Sequence, residues 1–152
     1  MGITTREVGL IDVQAGENVT VVQPSNLYGC RLGDNVFIGS FVEIQKNSAV
    51  GRRSRIQSHA FICEFVEIGE DCFIGHGVMF ANDMFSDGGP NPDPASWGKI
   101  RIGNGVSIGS GATILAVSVC DGVVIGAGAV VTKDIVRRGI YAGNPARLIR
   151  DL

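Results

Sequence analysis

Apolar residues recur at every sixth position between Val36 and Phe80. A second, usually smaller residue lies two positions before each of them. The larger series is Ile38, Ile44, Val50, Ile56, Ile62, Ile68, Ile74 and Phe80, and the second series is Val36, Val42, Ser48, Ser54, Ala60, Val66, Cys72 and Val78. Eight consecutive matches without a slip indicate an internal repeat.

A period of six residues predicts short strands wound into a coil. It fits neither the 3.6-residue period of a helix nor the simple alternation of a long strand. Residues i and i−2 share one face of a strand, so each hexad supplies two inward side chains followed by a turn. Three hexads make a triangular coil, and successive coils pair as parallel strands about 4.8 Å apart. The pattern therefore predicts an all-β parallel β-helix. Glycines directly follow the aliphatic residue in many hexads (Gly39, Gly51, Gly69 and Gly75), where a tight corner favours a residue without Cβ.

The 152 residues predict a single domain, residues 1–152, of six or seven coils at most. Residues 1–31 show the repeat only loosely and are predicted to form an irregular capping coil. Regular coils are expected over 32–80 and 100–133. Residues 134–152 are expected to leave the coil as a short C-terminal tail.

The repeat stops between residues 81 and 99. This stretch holds three prolines, three glycines and three aspartates, a density that cannot continue a strand ladder. It predicts one loop ejected from a corner of the coil. Long loops on rigid scaffolds often carry function, and the alternative is a tolerated surface insertion.

Composition excludes several classes of partner. The net charge of −2 gives no pull toward nucleic acid, and no apolar stretch is long enough to span a membrane. A cytoplasmic location is expected. The four cysteines show no CxxC spacing, and Cys30 and Cys72 are expected to be small core residues. Neither a disulfide nor a zinc knuckle is predicted.

The chain has two histidines, and the repeat places both at one corner. His59 follows Ile56 by three residues, and His76 follows Ile74 by two. The two isoleucines are 18 residues apart, which puts them on the same side of adjacent coils, so one histidine is expected above the other. The alternative is that both are merely solvated corner residues.

Three further polar residues are candidates for substrate binding. Glu64 lies at the next corner of the His59 coil, and Asn82 and Asp83 begin the loop. Together with the histidines they predict a polar cluster at the edge that carries the loop.

The C-terminal half carries the most specific local sequence. Its segments NGVSIGSGATIL, DGVVIGAGAVVTKDI and YAGNPARLI resemble the signature of the hexapeptide-repeat acyltransferases, and the resemblance extends from about residue 33 onward. It implies a left-handed coil and a homotrimer with active sites at the subunit interfaces. It also implies acetyl-CoA as co-substrate, lying along the coil between two subunits. The residues implied in CoA contact are Gly111, Gly128 and Ala129, with Lys133 and Arg147 facing its phosphates.

A metal site is not predicted. Some left-handed β-helix proteins, the gamma-class carbonic anhydrases, bind zinc through three histidines, two of them spaced HxxxxH. That spacing is absent here and a third ligand is missing, whereas catalytic zinc needs three protein ligands.

Within the family, the segment IQSHAFICEFVEIGEDCFIGHGVMFAND and its GGP loop resemble nucleotide-linked amino-sugar N-acetyltransferases of the dTDP- or UDP-3-amino-sugar type. The resemblance implies acetyl transfer to a sugar amine. His59 would act as general base, with His76 as support or substrate contact. Asn82 and Asp83 would orient the acceptor. The first coils or the 81–99 loop are the candidates for holding the nucleotide.

Two alternatives stay open. One is an O- or N-acetyltransferase for another small acceptor, such as a simple sugar, serine or an antibiotic. The other is a structural β-helix without catalysis or a carbonic-anhydrase-like relative.

Overall fold

The computed structural model describes residues 2–152 as a parallel β-helix with three flat faces. Twenty-one short strands wind into about seven coils of the left-handed hexapeptide-repeat type. Each coil contributes one strand to each face, and equivalent strands of successive coils pair in parallel. The predicted fold class is confirmed.

The faces are numbered in the order in which the chain visits them. Face 1 contains Leu10–Ile11, Asn26–Tyr28, Glu43–Ile44, Phe61–Ile62, Met79–Phe80, Thr113–Ile114 and Val130–Val131. Face 2 contains Gln14–Ala15, Arg31–Leu32, Ala49–Val50, Val66–Ile68, Ile100–Ile102 and Ser118–Val119. Face 3 contains Thr20–Val21, Phe37–Ile38, Arg55–Ile56, Phe73–Ile74, Ser107–Ile108, Val124–Ile125, Gly139–Ala142 and, antiparallel at its end, Arg147–Asp151. A short 3-10 helix, Pro94–Ser96, lies in the 81–99 loop.

The core is a continuous apolar column inside the triangle. All of the predicted inward positions between Val36 and Phe80 are at most 4% exposed, which confirms the hexad assignment residue by residue. Two of these positions are serines. The Ser48 hydroxyl donates to the carbonyl of Cys63 at 2.7 Å, and the Ser54 hydroxyl donates to that of Gly69 at 2.8 Å. Both polar groups are therefore satisfied inside the column.

The faces meet at three corners, called here the 1–2, 2–3 and 3–1 corners after the faces they join.

The glycines that follow the aliphatic residue are required for a different reason from the predicted one. Their φ angles are not left-handed, but a Cβ on Gly51 would lie 2.5 Å from the carbonyl carbon and oxygen of Gly69 in the next coil. Contact between coils, rather than the tightness of the corner, selects these glycines. The left-handed residues come later in each corner, as at Gly105 with φ of 62°.

The N-terminal part of the chain forms a first coil from Leu10–Ile11, Gln14–Ala15 and Thr20–Val21. Its exposed side chains leave only part of the apolar surface packed, as expected for an end coil.

The C-terminal end stays on the coil longer than the sequence indicated. Ile135 bridges to Val119 on face 2, and Gly139–Ala142 pairs with Val124–Ile125 on face 3. Ile135 is only 5% exposed, so it fills an inward position although no hexad marks it. The coil therefore reaches Ala142, and Arg147–Asp151 then folds back against its last strand.

Two glycine substitutions separate coil contact from backbone strain. We expect Gly51→Ala to lower the free energy of unfolding more than Gly105→Ala, because the new methyl group would meet backbone of the next coil. At Gly105 a Cβ meets nothing within 4 Å, so the cost is the left-handed conformation alone, about 1–2 kcal/mol. Urea unfolding followed by circular dichroism measures both. Equal losses, or a larger loss for Gly105→Ala, would contradict coil contact as the selecting factor.

Candidate functional site

Both histidines lie at the 3–1 corner, on adjacent coils. The His59 N–H donates to the carbonyl of Ser40, and the Gly77 N–H donates to that of Ser58, each at 3.1 Å. His59 is thus level with Gly77 of the next coil, while His76 is level with Ser58. The predicted shared corner is present, with the two side chains offset by one residue along the chain.

Phe41 holds the His59 ring from the preceding coil. The two ring centroids are 4.9 Å apart with an interplanar angle of 17°, which is a stacked pair. Both residues are left-handed, with φ of 59° at Phe41 and 65° at His59. Histidine is enriched in this conformation, but a bulky phenylalanine is an outlier that costs about 1–2 kcal/mol. Phe41 is also 57% exposed. The sequence analysis missed it, although it precedes His59 by one full 18-residue coil.

The 3–1 corner continues past the histidines as a line of glycines. Gly77, Gly111 and Gly128 have φ of 65°, 69° and 68°, and a Cβ on any of them would meet nothing within 4 Å. Within residues 2–152, the carbonyl oxygens of Gly111 and Gly128 accept no hydrogen bond. The corner next to the histidines is therefore an exposed edge without side chains, called here the glycine channel, with unpaired backbone carbonyls along it.

Ala129 does not face this channel. Its side chain is fully buried in the core. Its N–H donates to the Gly126 carbonyl at 3.2 Å, and its own carbonyl accepts from the Thr113 N–H at 2.8 Å. Both backbone groups are thus engaged within the coil.

The loop leaves the coil at the 1–2 corner, where Asn82 ties it down. The Asn82 Nδ2 donates to the Glu64 carbonyl at 2.8 Å, and the Asn82 carbonyl accepts from the Gly98 N–H at 2.8 Å. Asn82 therefore links the start and the end of the loop to the coil beneath.

Asp83 orders the loop from within. Its Oδ1 accepts from the Phe85 N–H at 3.0 Å, and its Oδ2 accepts from the Asn91 N–H at 2.7 Å. The Trp97 indole N–H donates to the Asn91 carbonyl at 2.9 Å. These bonds give the loop a defined shape despite its proline and glycine content.

The Glu64 carboxylate is buried beside the loop. Its Oε1 lies 3.8 Å from the Lys46 Nζ, and its Oε2 is the one buried side-chain oxygen or nitrogen in residues 2–152 without a hydrogen bond. Burial, followed by the negative charges of Glu43 and Glu64, raises the pKa of Tyr28 above its ordinary value. The carboxylates of Glu43 and Glu64 therefore both lie close enough to Tyr28, at the end of its face 1 strand, to affect its ionisation.

The candidate residues fall into two groups within one chain. His59 and Glu64 stand at opposite ends of the strand Phe61–Ile62, and five extended residues span about 16 Å. The loop is at the 1–2 corner and the histidines are at the 3–1 corner. A single chain therefore does not bring Glu64, Asn82 and Asp83 to the histidines.

The remaining candidates lie at the C-terminal end and are exposed. Lys133 follows the last face 1 strand, and the Arg147 Nη1 donates to the Ala146 carbonyl at 3.1 Å. Both are open to solvent, but Arg147 lies at the end of face 3, near the 3–1 corner, whereas Lys133 lies at the 1–2 corner, one face away from the glycine channel.

Cysteine chemistry and metal chemistry find little support in the described chain. Burial raises the pKa of Cys63 to about 12 and that of Cys30 to about 11, so neither thiol ionises at neutral pH. No group of three or more His, Cys, Asp or Glu side chains in residues 2–152 is placed to hold a metal ion. No helix over the same residues is long and apolar enough to cross a membrane.

Comparison with known proteins identifies the repeat. Residues 29–64 match the family described as bacterial transferase hexapeptide (six repeats), and residues 99–133 match the hexapeptide repeat of succinyl-transferase. The bifunctional protein GlmU of Baumannia cicadellinicola is 33% identical over 88 residues, which are 58% of this chain and 16% of GlmU.

Solved structures share the fold. A variant of AntD, an N-acyltransferase from Bacillus cereus in complex with dTDP and coenzyme A, superimposes with a TM-score of 0.80 at 23% identity, covering 91% of this chain and 83% of AntD. A variant of perosamine N-acetyltransferase from Caulobacter crescentus, in complex with CoA and GDP-perosamine, gives a TM-score of 0.75 at 22% identity, covering 89% of this chain and 58% of that one.

The chain spans less than two thirds of the length of GlmU and of the perosamine enzyme. Residues 29–64 and 99–133 thus match hexapeptide-repeat transferase families, and the chain as a whole has the parallel β-helix fold of these solved structures.

Proposed function

We propose that this protein is an acetyl-CoA-dependent N-acetyltransferase acting on the amino group of a nucleotide-linked amino sugar. The observation that carries the proposal is the 3–1 corner, where His59 and His76 are followed by the open channel along Gly77, Gly111 and Gly128. The proposed general base and a place for the extended acetyl-CoA molecule thus lie side by side.

The channel suits the pantetheine arm of acetyl-CoA. The arm carries amide groups, and the unpaired carbonyl oxygens of Gly111 and Gly128 could accept from their N–H groups. Glycine lets a ligand approach the backbone closely because no Cβ intervenes. Arg147, beyond the last glycine of this corner, is the nearest candidate for the phosphates, whereas Lys133 lies at the 1–2 corner and would face them only from a neighbouring subunit. Ala129 has no part in this proposal because it is a core residue.

The acceptor class is supported by the structural neighbours. AntD was crystallised with dTDP, and the perosamine enzyme with GDP-perosamine, each together with CoA. Because their sequence identity to this chain is below 25%, they support a class of acceptor, the nucleotide-linked amino sugars, rather than one particular sugar or nucleotide. Within this class we propose the dTDP- or UDP-linked 3-amino sugars as acceptors. We also propose a cytoplasmic location for the enzyme.

The reaction would proceed by direct transfer. The neutral sugar amine attacks the thioester carbonyl of acetyl-CoA, forming the N–C bond, while His59 accepts the proton that the amine loses. A backbone N–H at the glycine corner would stabilise the oxyanion of the tetrahedral intermediate. The C–S bond then breaks, and His59 returns the proton to the departing CoA thiolate. The high pKa of the buried cysteines argues against an acyl-enzyme on sulfur.

Assembly would complete the site. Glu64, Asn82 and Asp83 lie about 16 Å from the histidines within one chain, by the length of the strand between them. In a homotrimer the 3–1 corner of one subunit can face the 1–2 corner and loop of the next, since cyclic symmetry presents the same two edges at every interface. His76 would then contact the substrate, and the loop residues would orient the sugar.

The acceptor class is tested by incubating the protein and acetyl-CoA with a panel of nucleotide-linked 2-, 3- and 4-amino sugars. We expect one acetyl group to be added to at least one of them, detected by mass spectrometry. Simple sugars, serine and aminoglycosides serve as controls. Acetylation of a control alone would favour the other small-acceptor enzyme, and no acetylation together with no acetyl-CoA binding in calorimetry would favour a structural β-helix.

The role of His59 is tested with His59→Asn, since asparagine tolerates the left-handed conformation at this position. We expect kcat to fall by about 10²- to 10⁴-fold, the usual contribution of a general base, with acetyl-CoA affinity unchanged. His76→Asn is the matched control and should lower kcat less. Turnover of His59→Asn within a few-fold of the wild type would refute the histidine base.

A further inference from the structure

Two adjoining hollows open at the N-terminal end of face 1. One, of about 310 Å³, is lined by Val8, Pro24, Phe41 and Glu43 among others, and the second, of about 450 Å³, by Arg6 and Tyr28 among others. Asn26 lines both. They form one groove, called here the N-terminal groove, that starts beside the histidine corner.

Phe41 forms an aromatic wall of this groove. Its ring is stacked on His59, yet the side chain is 57% exposed and its backbone is left-handed. The left-handed conformation recurs at this level of successive coils, at His59 and Gly77 as well, so it is the exposed aromatic face that makes Phe41 available to a ligand. Val8 and Pro24 add apolar surface next to it.

Glu43 gives the groove a hydrogen-bond acceptor held in place. Its Oε2 accepts from the Asn26 Nδ2 at 3.3 Å and its Oε1 from the Gln45 Nε2 at 3.0 Å. Each carboxylate oxygen has two lone pairs, so both retain one acceptor site. An aromatic wall beside a fixed carboxylate matches a flat ring that carries a ring N–H.

We propose that the N-terminal groove holds the nucleobase of the acceptor, packed against Phe41, with a ring N–H of the base donating to Glu43. This inference rests on the proposed function and extends it to the nucleotide. Uracil, thymine and guanine carry a ring N–H, whereas the ring nitrogens of adenine only accept and adenine donates only from its exocyclic amino group, so a carboxylate placed to meet a ring N–H disfavours adenine.

The position is consistent with transfer at the histidine corner. Phe41 and His59 are on adjacent coils, about 4.8 Å apart in the coil direction. A base at Phe41 therefore leaves the sugar, at the other end of the diphosphate, within reach of the next coils. One aromatic side chain would then locate both the proposed base His59 and the nucleotide.

The experiment is calorimetric titration of the full chain with UDP, dTDP, GDP and ADP in the absence of acetyl-CoA. We expect one of the first three to bind and ADP to bind at least tenfold more weakly. Phe41→Leu, which keeps apolar bulk but removes the aromatic face, should weaken binding by about ten- to a hundredfold. Glu43→Gln should weaken it and reduce the discrimination against ADP.

Phe73→Leu is the matched control, because Phe73 is an aromatic residue of face 3 with 42% exposure, outside the groove. It should leave nucleotide binding unchanged, and equal melting temperatures would show that each variant folds. Equal affinity of Phe41→Leu and wild type, or preferential binding of ADP, would overturn the proposal; the latter would assign the groove to the adenosine of CoA.

Nucleotide binding is measured without transfer, so the two proposals fail separately. If the nucleotide binds at Phe41 but no amine is acetylated, the proposed function fails and the groove stands. If amino sugars are acetylated with the same KM by wild type and Phe41→Leu, the groove assignment fails and the function stands.

Discussion

Backbone pairing between successive coils is the constraint on which the rest of this molecule depends. Each strand is only two to five residues long and has no stability alone. Its N–H and carbonyl groups are paired with the coils before and after it, as in the bonds from the Arg55 N–H to the Cys72 carbonyl and from the Phe73 N–H to the Val106 carbonyl. Keeping coils at strand spacing requires glycine where backbones nearly touch, as at Gly51. The same spacing stacks inward side chains into one column.

This constraint divides the residues by role. Inward positions are filled mostly by small and branched apolar side chains and have no access to a ligand, as Ala129 illustrates. Chemistry is therefore left to corners, outward strand positions and the loop. At the 3–1 corner the same level of successive coils changes from Phe41 and His59 to Gly77, Gly111 and Gly128, so one edge passes from aromatic wall to open channel. The proposed donor, base and nucleobase sites all follow from that one edge.

The sequence predicted the column in detail because an inward side chain is fixed by local periodicity. It placed Ile38 through Phe80 correctly, and it placed both histidines at one corner. It did not predict that Ile135 and Gly139–Ala142 remain part of the coil, because the six-residue spacing is interrupted there. It also missed the stacking of Phe41 on His59 and the closure of the loop through Asp83 and Asn91. Those contacts depend on side-chain directions at corners, which a period of six does not encode. The separation of Glu64 from His59 was not predicted either. Counting hexads gives the order of the corners along the chain but not the distance between two corners.

Because one chain keeps these two corners apart, we propose that the histidine corner of one subunit and the loop corner of its neighbour act on one acceptor. Subunit mixing tests it most directly. His59→Asn chains and Asn82→Ala chains, each inactive alone, are refolded together in equal amounts, and acetyl transfer is measured. Sites that combine an intact 3–1 corner with an intact 1–2 corner from the neighbour should restore about a quarter of the wild-type activity, by random assembly into cyclic trimers. Mixtures that stay as inactive as the separate variants, although they form trimers, would contradict the shared site.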